Sequence, residues 1–389
     1  MEAIVLAGGL GTRLREAVPD RPKCLSPVGG KPFLKYLLDL LDSRGFSRVV
    51  LSLGYKSEQV IRWVTANKTW SFGIGFSVER EALGTGGAIL HALPMTRDER
   101  VYVFNGDTVF NADYERLSLL QGRVAVALRK VDDTGRYGRV RLSDDDVIEA
   151  FAEKGAAGEG LINAGVYLVD RRLFGDLALE GKFSFEKDVL EPLAGEGMVS
   201  GAVFDGYFLD IGIPEDYRKA RREVPLLAEL SRVSREVMAS DAEYLLLDRD
   251  GVINVRRPGS YVTSPSEFEF IPGFKETLRL WSGRFRRIVV VTNQRGVGKG
   301  LMTEDDLRLV HERMLSETAA SGGRIDGIFY CTSVSDEDPR RKPNTGLFDD
   351  VRKAFPEVKA ERSVMVGDSS SDKEFAWRCG IHFIEFRYK

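Results

Sequence analysis

The stretch LLLDRDGVINV, Leu245–Val255, decides the fold of the second half of this chain: an apolar run ends abruptly on Asp248 and Asp250, one residue apart, and Gly251 follows. Residues two apart on an extended strand point to the same side. With the strand ending at this point, both carboxylates face one pocket at its tip. Neighbouring carboxylates repel unless a cation or a shared proton compensates, so the turn calls for a positive partner. A strand leading into a special turn also opens the chain, where LAGGLGTRLR, Leu6–Arg15, sets Gly8, Gly9 and Gly11 between an apolar run and a helical pattern. Glycines there let backbone N–H groups approach phosphate oxygens, and a following helix N-terminus favours an anion. Each motif by itself is equally compatible with a plain tight turn.

Outward from these two turns, short apolar strands alternate with helical patterns, the signature of an α/β fold. Strands are expected near Ala3–Leu6, Arg48–Leu53, Val101–Phe104, Val124–Leu128 and Gly165–Val169, and again from Tyr244, at Ile288–Val291, Gly327–Tyr330 and Ser363–Val366. Between the halves, Tyr217, Leu226, Leu227, Leu230, Val233 and Val237 recur mostly at three- and four-residue steps, which predicts a helix over 214–238. The expected organisation is two doubly wound, Rossmann-like domains, 1–222 and 242–389, joined by a helical linker over 223–241.

The 389 residues exceed what one core usually holds, so two domains agree with length. Hydrophobic residues at 43% and charged residues at 30% describe a globular chain, and a net charge of −3 with mixed signs gives no bulk attraction to nucleic acid or anionic membrane. The three cysteines, Cys24, Cys331 and Cys379, are far apart, as expected in a reducing compartment. No apolar run approaches the roughly 20 residues of a membrane span, and the first residues lack a leader pattern. A cytoplasmic protein is expected.

In the first half the glycine loop is followed by RPKCL with Lys23, by GTGG with Gly84 to Gly87, and by NGD with Asp107. This ordered set resembles the sugar-1-phosphate nucleotidylyltransferases, and the likeness extends through FAEK (Glu153, Lys154), NAG (Asn163–Gly165), SFEKDVL (Glu186) and FLDIGIPEDY (Asp210). The resemblance implies attack of a sugar phosphate oxygen on the α-phosphorus of a nucleoside triphosphate, with pyrophosphate leaving. Such an enzyme mainly positions anions and neutralises charge. It implies Arg13 and Lys23 as cationic catalytic donors, and Asp107 and Asp210 as holders of Mg²⁺. Leu6, Gly8, Gly9, Gly11, Thr12, Gly84, Thr85 and Gly86 would meet the nucleotide. Asn105, Glu153, Lys154, Asn163 and Glu186 would meet the sugar phosphate, with plain structural hydrogen bonding the other reading of Glu153, Lys154 and Asn163. PFLKYLLDLL and ALGTGGAILHAL look most similar to heptose 1-phosphate guanylyltransferases, with mannose-1-phosphate enzymes next, which implies GTP as the donor.

In the second half, Asp248 and Asp250 are followed by VVVTNQRG with Thr292 and Asn293, RRKPNTG with Arg341 and Lys342, and VMVGDSSSD with Asp368 and Asp372. This order resembles the haloacid dehalogenase-like phosphatases, nearest the heptose bisphosphate and histidinol phosphate enzymes. The resemblance implies that Asp248 attacks phosphorus, that Asp250 protonates the leaving oxygen and later activates water, and that Thr292 and Lys342 hold phosphate oxygens. Asn293 and Arg341 would contact the sugar phosphate. Asp248, Asp250 and Asp368 would hold Mg²⁺, with a backbone carbonyl in the set and Asp372 in support. The intervals between motifs leave no room for a large cap. In the loop NVRRPGSYV, Arg256 and Arg257 are either solvated or set to meet a second phosphate. Relatives carry a zinc loop before the lysine motif, whereas CTSVSDEDPRRKP has Cys331 alone, so no zinc is expected. Ser369 stands where many heptose enzymes have lysine, which loosens the substrate assignment.

Together the resemblances imply a bifunctional enzyme acting on a sugar bisphosphate and then on the sugar 1-phosphate left behind, giving a nucleotide-activated heptose for surface polysaccharide. Two alternatives stay open: another sugar, such as mannose, with a different phosphatase substrate, or a first domain that only senses a nucleotide sugar and regulates the phosphatase.

Overall fold

The structure, a computed structural model, describes residues 1–9, 11, 14, 18–152 and 158–387. The chain divides into two compact units, Met1–Arg222 and Glu223–Lys389.

The first unit is built on a nine-stranded mixed sheet. Its parallel part runs Arg100–Asn105, Glu2–Leu6, Arg48–Leu53, Gly73–Val78. The long strand Gly160–Asp170 then pairs antiparallel with Arg100–Asn105 and with Val124–Val131. Alternation sorts the side chains onto two faces. Ala3, Val5, Val49, Leu51 and Phe104 enter one core, while Ile4, Val50, Val101 and Val103 enter another. A separate two-stranded ladder joins Thr108–Phe110 to Phe208–Asp210.

The second unit has one parallel sheet in the order Gly327–Cys331, Arg287–Asn293, Tyr244–Leu247, Ser363–Gly367, His382–Glu385. Its first strand is central, the next two lie on one side, and the last two lie on the other. The strand order therefore reverses beside Tyr244–Leu247, and ligands of such sheets bind outside the carboxyl ends at that switch point. Leu245 and Leu247 pack toward Phe274, Leu278 and Trp281, whereas Tyr244 and Leu246 pack toward Leu347, Phe348 and Phe375. Both faces are covered, as a parallel sheet requires.

The expected linker over 223–241 is corrected by this packing. It is part of the helix Pro214–Ala239, and Leu226, Leu230, Val233 and Val237 are buried in the second unit's core. A helix whose apolar stripe is fully covered is a structural element of its domain and cannot behave as a free connector. The helix also contains Pro225.

Candidate functional site

In the first unit the strand Glu2–Leu6 runs into Ala7–Gly9, which crosses the end of Arg48–Leu53. The Ala7 N–H donates to Ser52 O at 2.8 Å and the Tyr55 N–H to Gly8 O at 3.2 Å. A Cβ on Gly8 would stand 2.9 Å from Gly54 N, so the crossing requires glycine. Gly11 has φ +57°, and a Cβ on Gly9 would meet no atom within 4 Å. Leu6 closes the strand, and Thr12 and Arg13 lie outside the described residues, as do Glu153 and Lys154.

The short ladder sets Asp210 opposite Thr108, and the Ile211 N–H donates to Asp107 O at 2.9 Å, so the two carboxylates are drawn together. Lys23 Nζ hydrogen-bonds the Asp107 carboxylate and stands 3.9 Å from Asp210 Oδ1. Burial and then the charge of Asp107 push the Asp210 carboxyl up to about 6, against the opposing pull of Lys23 and the Gly212 N–H. One lysine does not neutralise this pair, and two hard oxygen donors with excess negative charge suit a divalent cation.

The glycines of GTGG have a second explanation. Gly84 has φ +73°, and Cβ atoms on Gly84, Gly86 and Gly87 would stand 2.4 Å from Phe183 O, 2.2 Å from the Phe183 ring and 2.3 Å from Gly181 O. The helix Gly84–Ala92 is therefore seated directly on the turn 181–183. Thr85 Oγ1 donates to Glu186 Oε2 at 2.7 Å and accepts the Phe185 N–H at 2.8 Å. Thr85 and Glu186 thus engage one another. Asn105 lies under Gly165 at φ +71°. The Asn163 amide accepts the Gly165 N–H at 2.9 Å and donates to the Tyr167 hydroxyl at 2.9 Å, where the ladder shifts register.

The second unit gathers its predicted residues around one cavity of about 410 Å³ at the sheet's switch point. Asp248 follows the central strand, with its N–H on Val366 O at 2.9 Å, and Asp368 follows the neighbouring strand. Lys342 is buried and its ammonium donates to Asp248 Oδ1 at 2.8 Å, to Val291 O at 2.8 Å and to Asp372 Oδ1. Burial works against its charge, but the two carboxylates outweigh burial and raise its pKa. Burial pushes Asp248 up to about 7 and Asp368 up to about 6. Oxygens of Asp248, Asp368 and Asp372 lie within 4.8 Å of one another, a hard donor set that fits Mg²⁺. Asn293 clamps the lysine from behind, its Nδ2 donating to Lys342 O at 2.9 Å and its Oδ1 accepting the Lys342 N–H at 3.0 Å. Gly251 has φ +93°, and a Cβ there would stand 2.2 Å from Asp368 Oδ2.

Two expectations are corrected. Asp250 lines the same cavity but is outside the three-aspartate cluster, and its carboxylate is taken up by Arg249 Nη2 at 2.8 Å, Gln294 Nε2 at 2.9 Å and Asn254 Nδ2 at 3.0 Å. Its side chain is therefore not one of the clustered donors. Burial alone would raise the Asp250 pKa, but Arg249 and these hydrogen bonds hold it below the ordinary range. Arg341 does not line the cavity; its guanidinium donates to Asp336 Oδ1 at 2.9 Å and Ser333 O at 3.2 Å, tying down the loop before the lysine.

Sequence reasoning overlooked the shell behind Asp250. Arg249 is 1% exposed and its Nη1 lies 3.2 Å from His311 Nε2, while Gln294 also donates to Thr292 Oγ1 at 2.9 Å. Gln294 was accessible to reasoning, since it stands two residues beyond Thr292 and so faces the same side. His311, some sixty positions away in the helix Glu304–Ala320, carried no local signal.

A mixed sheet with a glycine loop, a lysine and paired aspartates defines a nucleotide-handling transferase, and a parallel sheet with clustered aspartates around a lysine defines a phosphoryl-handling unit. The chain belongs to the nucleotidyl transferase family, whose model matches residues 2–225, and a HAD-hydrolase-like model matches residues 339–386. It is 42% identical over 217 residues to D-glycero-alpha-D-manno-heptose 1-phosphate guanylyltransferase of Campylobacter jejuni, covering 56% of this chain and 97% of that enzyme. The enzyme of the same name from Aneurinibacillus thermoaerophilus is 44% identical over 228 residues, covering 58% of this chain and 98% of its own length. Among solved structures, HddC from Yersinia pseudotuberculosis complexed with GMP-PN aligns at TM-score 0.52 with 39% identity, over 57% of this chain and 97% of that one.

Proposed function

We propose that the chain is a bifunctional enzyme of nucleotide-sugar synthesis. Its second unit removes the 7-phosphate of D-glycero-D-manno-heptose 1,7-bisphosphate, and its first unit transfers a guanylyl group from GTP to the resulting heptose 1-phosphate, releasing pyrophosphate. The observation that carries this reading is the joining, in one chain, of a unit matching 97–98% of two heptose 1-phosphate guanylyltransferases to a cavity where Asp248, Lys342 and Asp368 converge.

In the phosphatase step an Asp248 oxygen attacks phosphorus, the bond to the sugar oxygen breaks, and Asp250 gives that oxygen a proton. Water then attacks the aspartyl phosphate, with Asp250 taking its proton, which frees inorganic phosphate and restores Asp248. Lys342 and Thr292 hold the phosphoryl oxygens. Arg249 and its partners keep Asp250 ionised in the free protein, so it takes up its proton beside a dianionic substrate, whose charge favours the protonated acid. In the transfer step Lys23 and Arg13 hold the triphosphate while a sugar phosphate oxygen displaces pyrophosphate. Asp107 with Asp210, and Asp248 with Asp368, would hold Mg²⁺, which supplies neutralisation of phosphate charge in both sites. Among the described residues no helix is long and apolar enough to cross a membrane.

The test incubates the purified full chain with the bisphosphate, GTP and Mg²⁺, following phosphate release and GDP-heptose by chromatography. Mannose 1-phosphate and the other nucleoside triphosphates run in parallel. Absence of both products, or faster transfer to a hexose, overturns the reading.

A further inference from the structure

The phosphatase cavity has a cationic wall that the chemistry at Asp248 does not use. Five cationic side chains line it: Arg256, Arg257, Arg295, Lys299 and Lys342. Three are committed. Lys342 is held by Asp248 and Asp372, Arg256 Nη1 donates to Asp368 Oδ2 at 3.1 Å, and Arg257 pairs with Glu267, whose carboxyl that contact pulls down to about 2. The two arginines that the sequence offers for a second phosphate are thus already engaged with carboxylates.

Arg295 and Lys299 differ. Neither has a carboxylate within ion-pair distance among the described residues, and Arg295 Nε is buried without a hydrogen-bond partner. They are four residues apart on the single turn Arg295–Gly298 and its cap, and so project from one side of it. That turn is fixed by packing. A Cβ on Gly298 would stand 2.2 Å from Thr332 O, one on Gly296 would stand 3.3 Å from the Tyr261 ring, and the Gln294 N–H donates to Cys331 O at 2.7 Å. Lys299 Nζ lies 5.3 Å from the centre of the Tyr261 ring, an arrangement that steadies a cation while leaving its N–H donors free.

Resting on the proposed sugar-phosphatase function, we infer that Arg295 and Lys299 form a second anion subsite, which selects substrates bearing a phosphate besides the one that is cleaved. A cavity of about 410 Å³ falls within the usual size for a small-molecule site. Its lining residues divide by partner. The clustered carboxylates and Lys342 handle the phosphate that leaves, and the donors of Arg295 and Lys299, which have no carboxylate partner among the described residues, hold the phosphate that stays. Arginine and lysine without carboxylate partners give up no existing ion pair when the substrate arrives, so their interaction with the anion goes into binding.

The experiment compares kcat/KM for heptose 1,7-bisphosphate and heptose 7-phosphate in the full chain, in Arg295→Gln, in Lys299→Gln and in the double variant, with p-nitrophenyl phosphate as a third substrate. Wild type should favour the bisphosphate. Each single change should reduce that preference about ten-fold, mainly through KM, and the double change should abolish it, while Arg295→Lys and Lys299→Arg should restore most of it. Rising salt should shrink the wild-type preference and leave the double variant flat. Equal use of both heptose phosphates by wild type, or a preference that survives in the double variant, overturns the subsite and leaves the phosphatase reading standing. Wild type that cleaves p-nitrophenyl phosphate but neither heptose phosphate overturns both.

Discussion

Acid should weaken the phosphatase unit through the buried His311. The imidazole is 6% exposed and its Nε2 faces the Arg249 guanidinium at 3.2 Å. Burial and then the adjacent positive charge of Arg249 hold its pKa down to about 3, against an unfolded value near 6.5. A depressed folded pKa means that the unfolded chain takes up the proton first. The stability tied to His311 is therefore complete above about pH 6.5 and is lost progressively as pH falls toward 3. The slope is about 1.4 kcal/mol per pH unit, so lowering the pH from 6.5 to 4.5 removes about 2.5 kcal/mol. The assay is urea unfolding of the full chain at pH 7.5, 6.5, 5.5 and 4.5, with the transition of the second unit followed through the buried Trp281. His311→Gln retains a neutral polar group facing Arg249 and has no proton to gain. The variant should lie within about 1 kcal/mol of wild type at pH 7.5 and gain on it by about 2 to 3 kcal/mol by pH 4.5. Parallel pH profiles for the two proteins would refute the reasoning, since the other titrating groups are common to both.

Replacing Lys342 by methionine leaves Asp248 and Asp372 buried together without their cation, so the second unit should lose about 3–5 kcal/mol at pH 8 in the same urea assay and all phosphate release, while GDP-sugar formation from supplied heptose 1-phosphate continues; unchanged stability would show that the ammonium is not their counterion. Gly251→Ala puts a methyl group 2.2 Å from Asp368 Oδ2 at φ +93°. It should lower phosphatase kcat/KM by about 100-fold and raise the Mg²⁺ concentration for half-maximal rate, and a wild-type Mg²⁺ titration would count against the placement of Asp368. Asp107→Asn should abolish nucleotidyl transfer, as measured by pyrophosphate release, and leave the phosphatase at its normal rate. Loss of both activities, or of neither, contradicts the assignment of separate sites.

Much of this was legible in the sequence where one residue's chemistry is set by its neighbours in the chain. The strand ends at Leu6, Leu247 and Asn293 stood out because apolar runs stopped at glycine, aspartate or threonine, and the observed strands include each expected one. The strands Gly73–Val78, Arg139–Leu142 and Ile148–Phe151 escaped notice for a physical reason. They are short, glycine-bearing or charged, and gain their identity from partners in the sheet. Arg341 and Lys342 are adjacent with opposite fates, one bound to a surface loop and the other buried among aspartates. No rule of residue type separates them, because the difference lies in which way the backbone presents two cations of similar charge. Arg249 shows the same limit from the other side: it stands between the two aspartates of the motif, and only the fold reveals that it turns inward to His311 and back to Asp250.

The cations of the phosphatase cavity carry the comparison furthest. Charge counting alone would spread an incoming phosphate over all five of them. Once partners are assigned, Lys342 is the counterion of Asp248 and Asp372, Arg256 guards Asp368 and Arg257 holds Glu267, which leaves Arg295 and Lys299 as the pair with donors to offer. The same logic applies to Lys23 in the first unit, which is shared between Asp107 and Asp210 and leaves that pair with negative charge to spare. In each unit the residue free to act is identified by which partners it lacks.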